Sequence, residues 1–163
     1  MRLLFLLPLS LLLFAGCDSD DPIDTGGSAN LTCELVGLTS SGSMTASTSS
    51  GSFSANCFEV SSFEDEINVT GYDINLSTGE FDGLISVAAD GAAPGTYPID
   101  PDEEDPDVLY GGGAFGASGV VSLDATAGSV TITESSANRI AGTFSFSTAN
   151  GSTVSNGQFS VSF

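Results

Sequence analysis

Apolar residues recur at every second position over most of the chain, in short runs cut by Gly, Ser, Asn and Asp. A period of two is the signature of strands with one buried face. In the C-terminal third, Val130 and Ile132, then Ile140, Gly142, Phe144 and Phe146, then Phe159, Val161 and Phe163 each share one face. Thr131, Thr133, Thr143, Ser145, Ser147, Ser160 and Ser162 take the other. Turns at Ser135-Ser136-Ala137-Asn138 and Asn150-Gly151 join these runs into an antiparallel meander. The parity shifts at Asn156-Gly157, which predicts a bulge with Gly157 in a left-handed conformation.

Upstream, Leu31, Cys33 and Leu35 alternate with Thr32, Glu34 and Val36 and predict a strand. Met44 to Thr48 and Phe53 to Val60 predict a hairpin across Ser49-Ser50-Gly51-Ser52. Within its second arm the apolar face passes from Phe53, Ala55 and Cys57 to Phe58 and Val60, as an inserted bulge residue would cause. Ile67, Val69 and Gly71 form the next run; Phe81, Gly83, Ile85 and Val87 follow a turn at Ser77-Thr78-Gly79. A looser segment runs from Ala92 to Asp107, and no stretch has helical spacing. The pattern predicts an all-β fold: an antiparallel β-sandwich or small barrel of about eight or nine strands, in one domain over 30–163.

Ahead of that domain the pattern changes. Met1-Arg2 supplies one positive charge, Leu3 to Phe14 is almost wholly apolar, and Ala15-Gly16 places small residues before Cys17. This is the three-part form of a secretory signal over 1–16. A bilayer-spanning helix needs about 20 apolar residues, so the run is too short to remain as a span. Ala15-Gly16-Cys17 resembles the bacterial lipoprotein signal, with Phe14 where Leu is usual. That resemblance implies cleavage before Cys17, lipidation of Cys17 and stable membrane anchoring, since the modification adds more than one acyl chain. Residues 17–29 then read as a disordered acidic tether, containing Asp18, Asp20, Asp21 and Asp24 and little apolar surface. Its typical reach is about 20 Å. Acidic residues so close to the lipidated Cys also fit a sorting signal between membranes.

Charge narrows the partners. The chain has 21 acidic residues, no His, and two basic residues, of which Arg139 alone follows the leader. Nucleic acid is excluded as a partner because phosphate binding needs Lys and Arg. An anionic membrane surface is disfavoured for the same reason, and self-repulsion at a net charge of −19 predicts stabilisation by salt or bound cations.

With Cys17 set aside, Cys33 and Cys57 remain as a pair in a compartment where disulfides persist, and we expect them to be bridged. Two Cys without His make a poor zinc site. The acidic run from Asp100 to Asp107 offers a calcium candidate led by Asp102, Glu104, Asp105 and Asp107. Pro101 and Pro106 interrupt it where an EF-hand needs Gly and a distal Glu, so a solvated loop is the simpler expectation. Gly111-Gly112-Gly113-Ala114-Phe115-Gly116 satisfies G-x-G-x-x-G, but without the helix and βαβ unit of a dinucleotide site it reads as a glycine-lined bend or loop. Serine nucleophiles lack a His or Lys base, and paired carboxylates lack the aromatic platforms of sugar clefts, so catalysis is not expected. The strand ending at Phe163 is similar to the closing strand of outer-membrane barrels, yet the strands are short and Ser-rich, which favours a soluble core.

Gly95-Thr96-Tyr97, Arg139-Ile140-Ala141-Gly142-Thr143-Phe144-Ser145-Phe146 and Asn156-Gly157-Gln158-Phe159-Ser160-Val161 resemble a family of small Bacteroidota-type lipoproteins of unknown function. The resemblance spans residues 44 to 163 and implies location and β architecture, with no catalytic residues. The expectation is a lipid-anchored envelope protein of the outer membrane, acting as a non-catalytic structural or interaction module with protein or glycan partners. The alternative is a small-ligand or carbohydrate binder using the loops Ala89 to Tyr97 and Tyr110 to Ser118, with Tyr97, Tyr110 or Phe115 converging on polar groups. An exposed apolar patch would favour the interaction module.

Overall fold

The computed structural model describes residues 31–63, 66–91, 93–99, 101, 111–117 and 122–163. Ten strands follow a short 3-10 turn at Cys33–Val36. They are β1 (Gly42–Thr48), β2 (Gly51–Ala55), β3 (Cys57–Phe63), β4 (Glu66–Asn75) and β5 (Glu80–Asp90), then β6 (Gly95–Ile99), β7 (Gly111–Ala117), β8 (Leu123–Ser136), β9 (Arg139–Thr148) and β10 (Thr153–Ser162). They form one sheet in the order β2-β1-β10-β9-β8-β6-β7-β5-β4-β3, with β7 also paired to β8. All pairings are antiparallel except the parallel β6–β7 contact at Ile99 and Gly111. The sheet curls into a nearly closed barrel, so of the two expected architectures the barrel is found.

Closure depends on one bent strand. β2 pairs with β1, and β3, one residue further along, pairs with β4. At the corner between them, Asn56 stands in for a strand residue. Its backbone N–H donates to the Tyr72 carbonyl at 2.9 Å, its Nδ2 donates to the Ile74 carbonyl at 2.7 Å, and its Oδ1 accepts from the Ile74 N–H at 3.0 Å. The parity change expected in this arm is therefore real and lies at Asn56. Cys57 falls on the other face from Phe53 and Phe58, correcting its placement with the inward residues. Counting β2 and β3 as one bent strand reconciles ten segments with the expected eight or nine.

Alternation fills the interior. Met44, Ala46, Phe53, Phe58, Ile67, Val69, Ile85, Val87, Ala89, Val130, Ile132, Ile140, Phe144, Phe146, Val154, Phe159 and Val161 point inward and form one continuous core. A narrow bore cannot hold large side chains on every neighbouring strand. Glycine stands directly across from four of the inward phenylalanines: Gly71 from Phe58, Gly157 from Phe144, Gly142 from Phe159, and Gly128 from Phe146. A Cβ on Gly142 would lie 2.7 Å from the Phe159 ring, and one on Gly71 would lie 2.8 Å from the Met44 sulfur.

Several sequence expectations need correction. The Leu31–Val36 run forms a 3-10 turn in place of a strand, ended by Gly37 in the left-handed region with φ 80°. At the β10 bulge the left-handed residue is Asn156, φ 52°, and Gly157 is instead the close-packing position beneath Phe144. Residues 95–99, expected in a looser segment, form β6, and the G-x-G-x-x-G run is strand β7. There a Cβ at Gly111 would meet the Tyr97 carbonyl oxygen at 2.8 Å, and one at Gly113 would meet the Phe146 ring at 3.1 Å. Phe163 lies beyond β10 and is exposed, whereas Phe159 and Val161 are buried as expected.

Candidate functional site

The segment that enters the barrel from the N-terminal side crosses the outside of β3, β4 and β5 and is fastened there. Its Leu31 N–H donates to the Leu76 carbonyl at 3.1 Å. Thr39 exchanges two backbone hydrogen bonds with Phe58, at 2.9 and 2.8 Å. Between these points the 3-10 turn brings Cys33 over Cys57, and the two form a disulfide with Cα atoms 5.4 Å apart. The expected bridge is thus present, and it lies on the outer wall and not in the barrel core.

Between this segment and the wall runs a groove of about 430 Å³. Leu31, Val36 and Leu38 form one side; Tyr72, Ile74, Leu76 and Phe81 form the other, and Glu59 completes the lining with Gly79. The alternation along β4 explains the second side: Tyr72 and Ile74 occupy the face opposite to Val69 and Gly71. Phe81 was expected inward with Gly83, Ile85 and Val87. A register shift opposite Asp73 and Ile74 reverses its parity, and it packs edge-on to Tyr72 with ring centroids 6.4 Å apart.

One carboxylate, Glu59, lines the groove; Glu34 lies on the turn that carries Val36, Glu80 stands between the lining residues Gly79 and Phe81, and each of the three accepts from a hydroxyl. Tyr72 donates to Glu59 at 3.0 Å, Ser40 to Glu34 at 2.8 Å, and Thr78 to Glu80 at 3.1 Å. Burial, then the hydrogen bond and charge of Glu59, push the Tyr72 phenol up to about 12. Hydrogen bonds from its own backbone N–H, then from Ser40 and Thr32, hold the Glu34 carboxyl below its usual value. Away from the groove, partial burial and then the neighbouring Asp82 charge raise the Asp73 carboxyl.

A second surface lies further round the barrel. Outward residues of β8, β9 and β10 line a shallow depression of about 450 Å³: Ser129, Thr131, Thr143, Ser145, Ser155, Asn156 and Gln158. It carries hydroxyl and amide groups and no charge.

The remaining candidates sort as follows. Cys17 and the calcium candidates Asp102, Glu104, Asp105 and Asp107 lie outside the described residues, as does Tyr110. Among the described residues, no three His, Cys, Asp or Glu side chains converge to hold a metal ion. Tyr97 and Phe115 are core residues: Tyr97 is 3% exposed with its hydroxyl donating to the Ala93 carbonyl at 2.6 Å, and Phe115 is 7% exposed. They do not line a concave ligand site. Arg139 lies 3.7 Å from Glu134 and donates to Ser160 at the end of the β8–β9 hairpin. Sequence reasoning missed the groove because Leu31 and Val36 read as strand alternation and Leu38 fell outside every run, although Tyr72-x-Ile74-x-Leu76 did carry an apolar period of two on the outer face. Comparison with protein-family models, with curated proteins and with solved structures yields no match.

Proposed function

We propose that this chain is a lipid-anchored protein of the bacterial cell envelope, held through Cys17, whose barrel is a non-catalytic interaction module. The observation that carries the reading is the leader: Arg2, the apolar run Leu3 to Phe14, and Ala15-Gly16 immediately before Cys17, followed by an acidic tether. The outer membrane is the proposed address. Interaction is favoured over catalysis by the exposed apolar groove and by a composition without His or Lys to serve as a base. Fractionation and protease shaving of intact cells carrying the wild-type chain and a Cys17→Ala variant test this. The wild type should pellet with membranes and the variant should not; equal membrane retention of both would sink the anchored reading.

The neutral, hydroxyl-lined depression on β8–β10 supports a second reading as a glycan binder. Neutral polysaccharides present the donors and acceptors that such a surface can pair. Retention on a neutral polysaccharide column that is lost in a Thr143→Asp, Gln158→Asp variant would favour it, and flow-through of the wild type would dismiss it.

A further inference from the structure

We infer that the outer-wall groove seats an apolar side chain from a Lys- or Arg-flanked segment of another envelope protein. Four large apolar side chains are exposed among the described residues, and three of them, Leu35 at 69%, Val36 at 50% and Phe81 at 38%, belong to the turn and hairpin that form this groove. Apolar surface gathered at one place, rimmed by polar groups, marks an interaction site. The charge of the rim selects the occupant. Glu59 lines the groove, Glu34 lies on the turn that also carries the lining residue Val36, and Glu80 stands between the lining residues Gly79 and Phe81. Each carboxylate is positioned by a hydroxyl, so the negative rim is organised before any partner arrives. The sole basic residue among those described, Arg139, is engaged at the β8–β9 hairpin and leaves this rim unneutralised.

The other occupants fit less well. An anionic lipid surface would be repelled by these carboxylates and by a chain of net charge −19. A second copy related by a twofold axis would bring Glu34, Glu59 and Glu80 against their own equivalents, and like charges in contact suppress association. A cationic segment gains on both counts: its apolar side chain leaves water and its charges meet fixed acceptors. The inference rests on the anchored reading only for the compartment in which the partner is found.

The test places a photoreactive benzophenone amino acid at position 35 of the full chain, irradiates intact cells, and sequences the adduct by mass spectrometry. The expected product is a polypeptide segment with an apolar side chain flanked by Lys or Arg. Its yield should fall severalfold at high salt and in a Glu34→Gln, Glu59→Gln, Glu80→Gln chain, and benzophenone at position 143 should not capture it. Adducts with lipid, with a second copy, or with an acidic or uncharged segment would overturn the inference, as would no adduct or a yield indifferent to the rim charges. Fatty-acid labelling of the same cells is read separately. Lost label with a surviving adduct removes the anchor and keeps the groove; retained label without the expected adduct does the reverse.

Discussion

Gly71, Gly128, Gly142 and Gly157 set the bore of the barrel, because Gly128, Gly142 and Gly157 each leave room for the phenylalanine on the neighbouring strand and Gly71 leaves room for Met44 and Ala55. Gly142→Ala would press a methyl group onto the Thr131 carbonyl and the Phe159 ring. We predict a loss of about 1–3 kcal/mol, read as a lower urea midpoint at unchanged slope. On the outer wall the informative residue is Tyr72. Its phenol is displaced upward from 10 to about 12, so the folded state favours the neutral form. That contribution is intact below pH 10 and is lost as pH rises towards 12. Spectroscopic titration should show Tyr72 ionising late, and Tyr72→Phe should flatten the fall in stability over that window; an ordinary titration would contradict the Tyr72–Glu59 pairing. The sequence made Phe53, Phe144, Phe146 and Phe159 readable as inward, since each sits in an alternating run with polar neighbours. It did not disclose Phe81, whose side is decided by a register shift in a pairing with β4 that no local pattern encodes.

Two elements close the molecule, the bent strand at Asn56 and the disulfide-held 3-10 turn. The Asn56 side chain makes two hydrogen bonds to Ile74 that Ala cannot make. Asn56→Ala should cost about 1–3 kcal/mol and raise hydrogen exchange at Ile74 before the rest of β4. Uniform exchange across the barrel would show that the corner does not act as a local seam. The bridge closes a loop with a sequence separation of 24, so its reduction should cost about 3 kcal/mol in the chain-entropy model. Thermal unfolding with and without reductant measures this, and an unchanged midpoint would contradict it. The pairing was legible from the Cys count, and the bulge from the parity change beside it. The 3-10 turn was not, because alternation over Leu31–Val36 fits a strand and only the reach of Cys33 to Cys57 on the outer wall breaks it. Strand β7 was hidden for a related reason: its glycines read as a loop, yet Tyr97 and Phe146 close above two of them and leave no room for side chains.

For the whole molecule, a net charge of −19 with Arg2 and Arg139 as the two basic residues makes the chain self-repelling. The melting temperature should therefore rise with NaCl over the range in which screening develops, and a flat response would show the repulsion to be already relieved. The all-β fold was legible in the period of two, whereas barrel closure was not, because it depends on a partner switch by one strand. Leu31, the first described residue, is fastened to the outer wall and lines the groove. Intact-mass spectrometry of the protein purified from membranes tests this account most directly. The predicted result is a chain beginning at Cys17 that carries acyl groups; an unmodified Cys17, or a chain still bearing Met1 to Gly16, would contradict it.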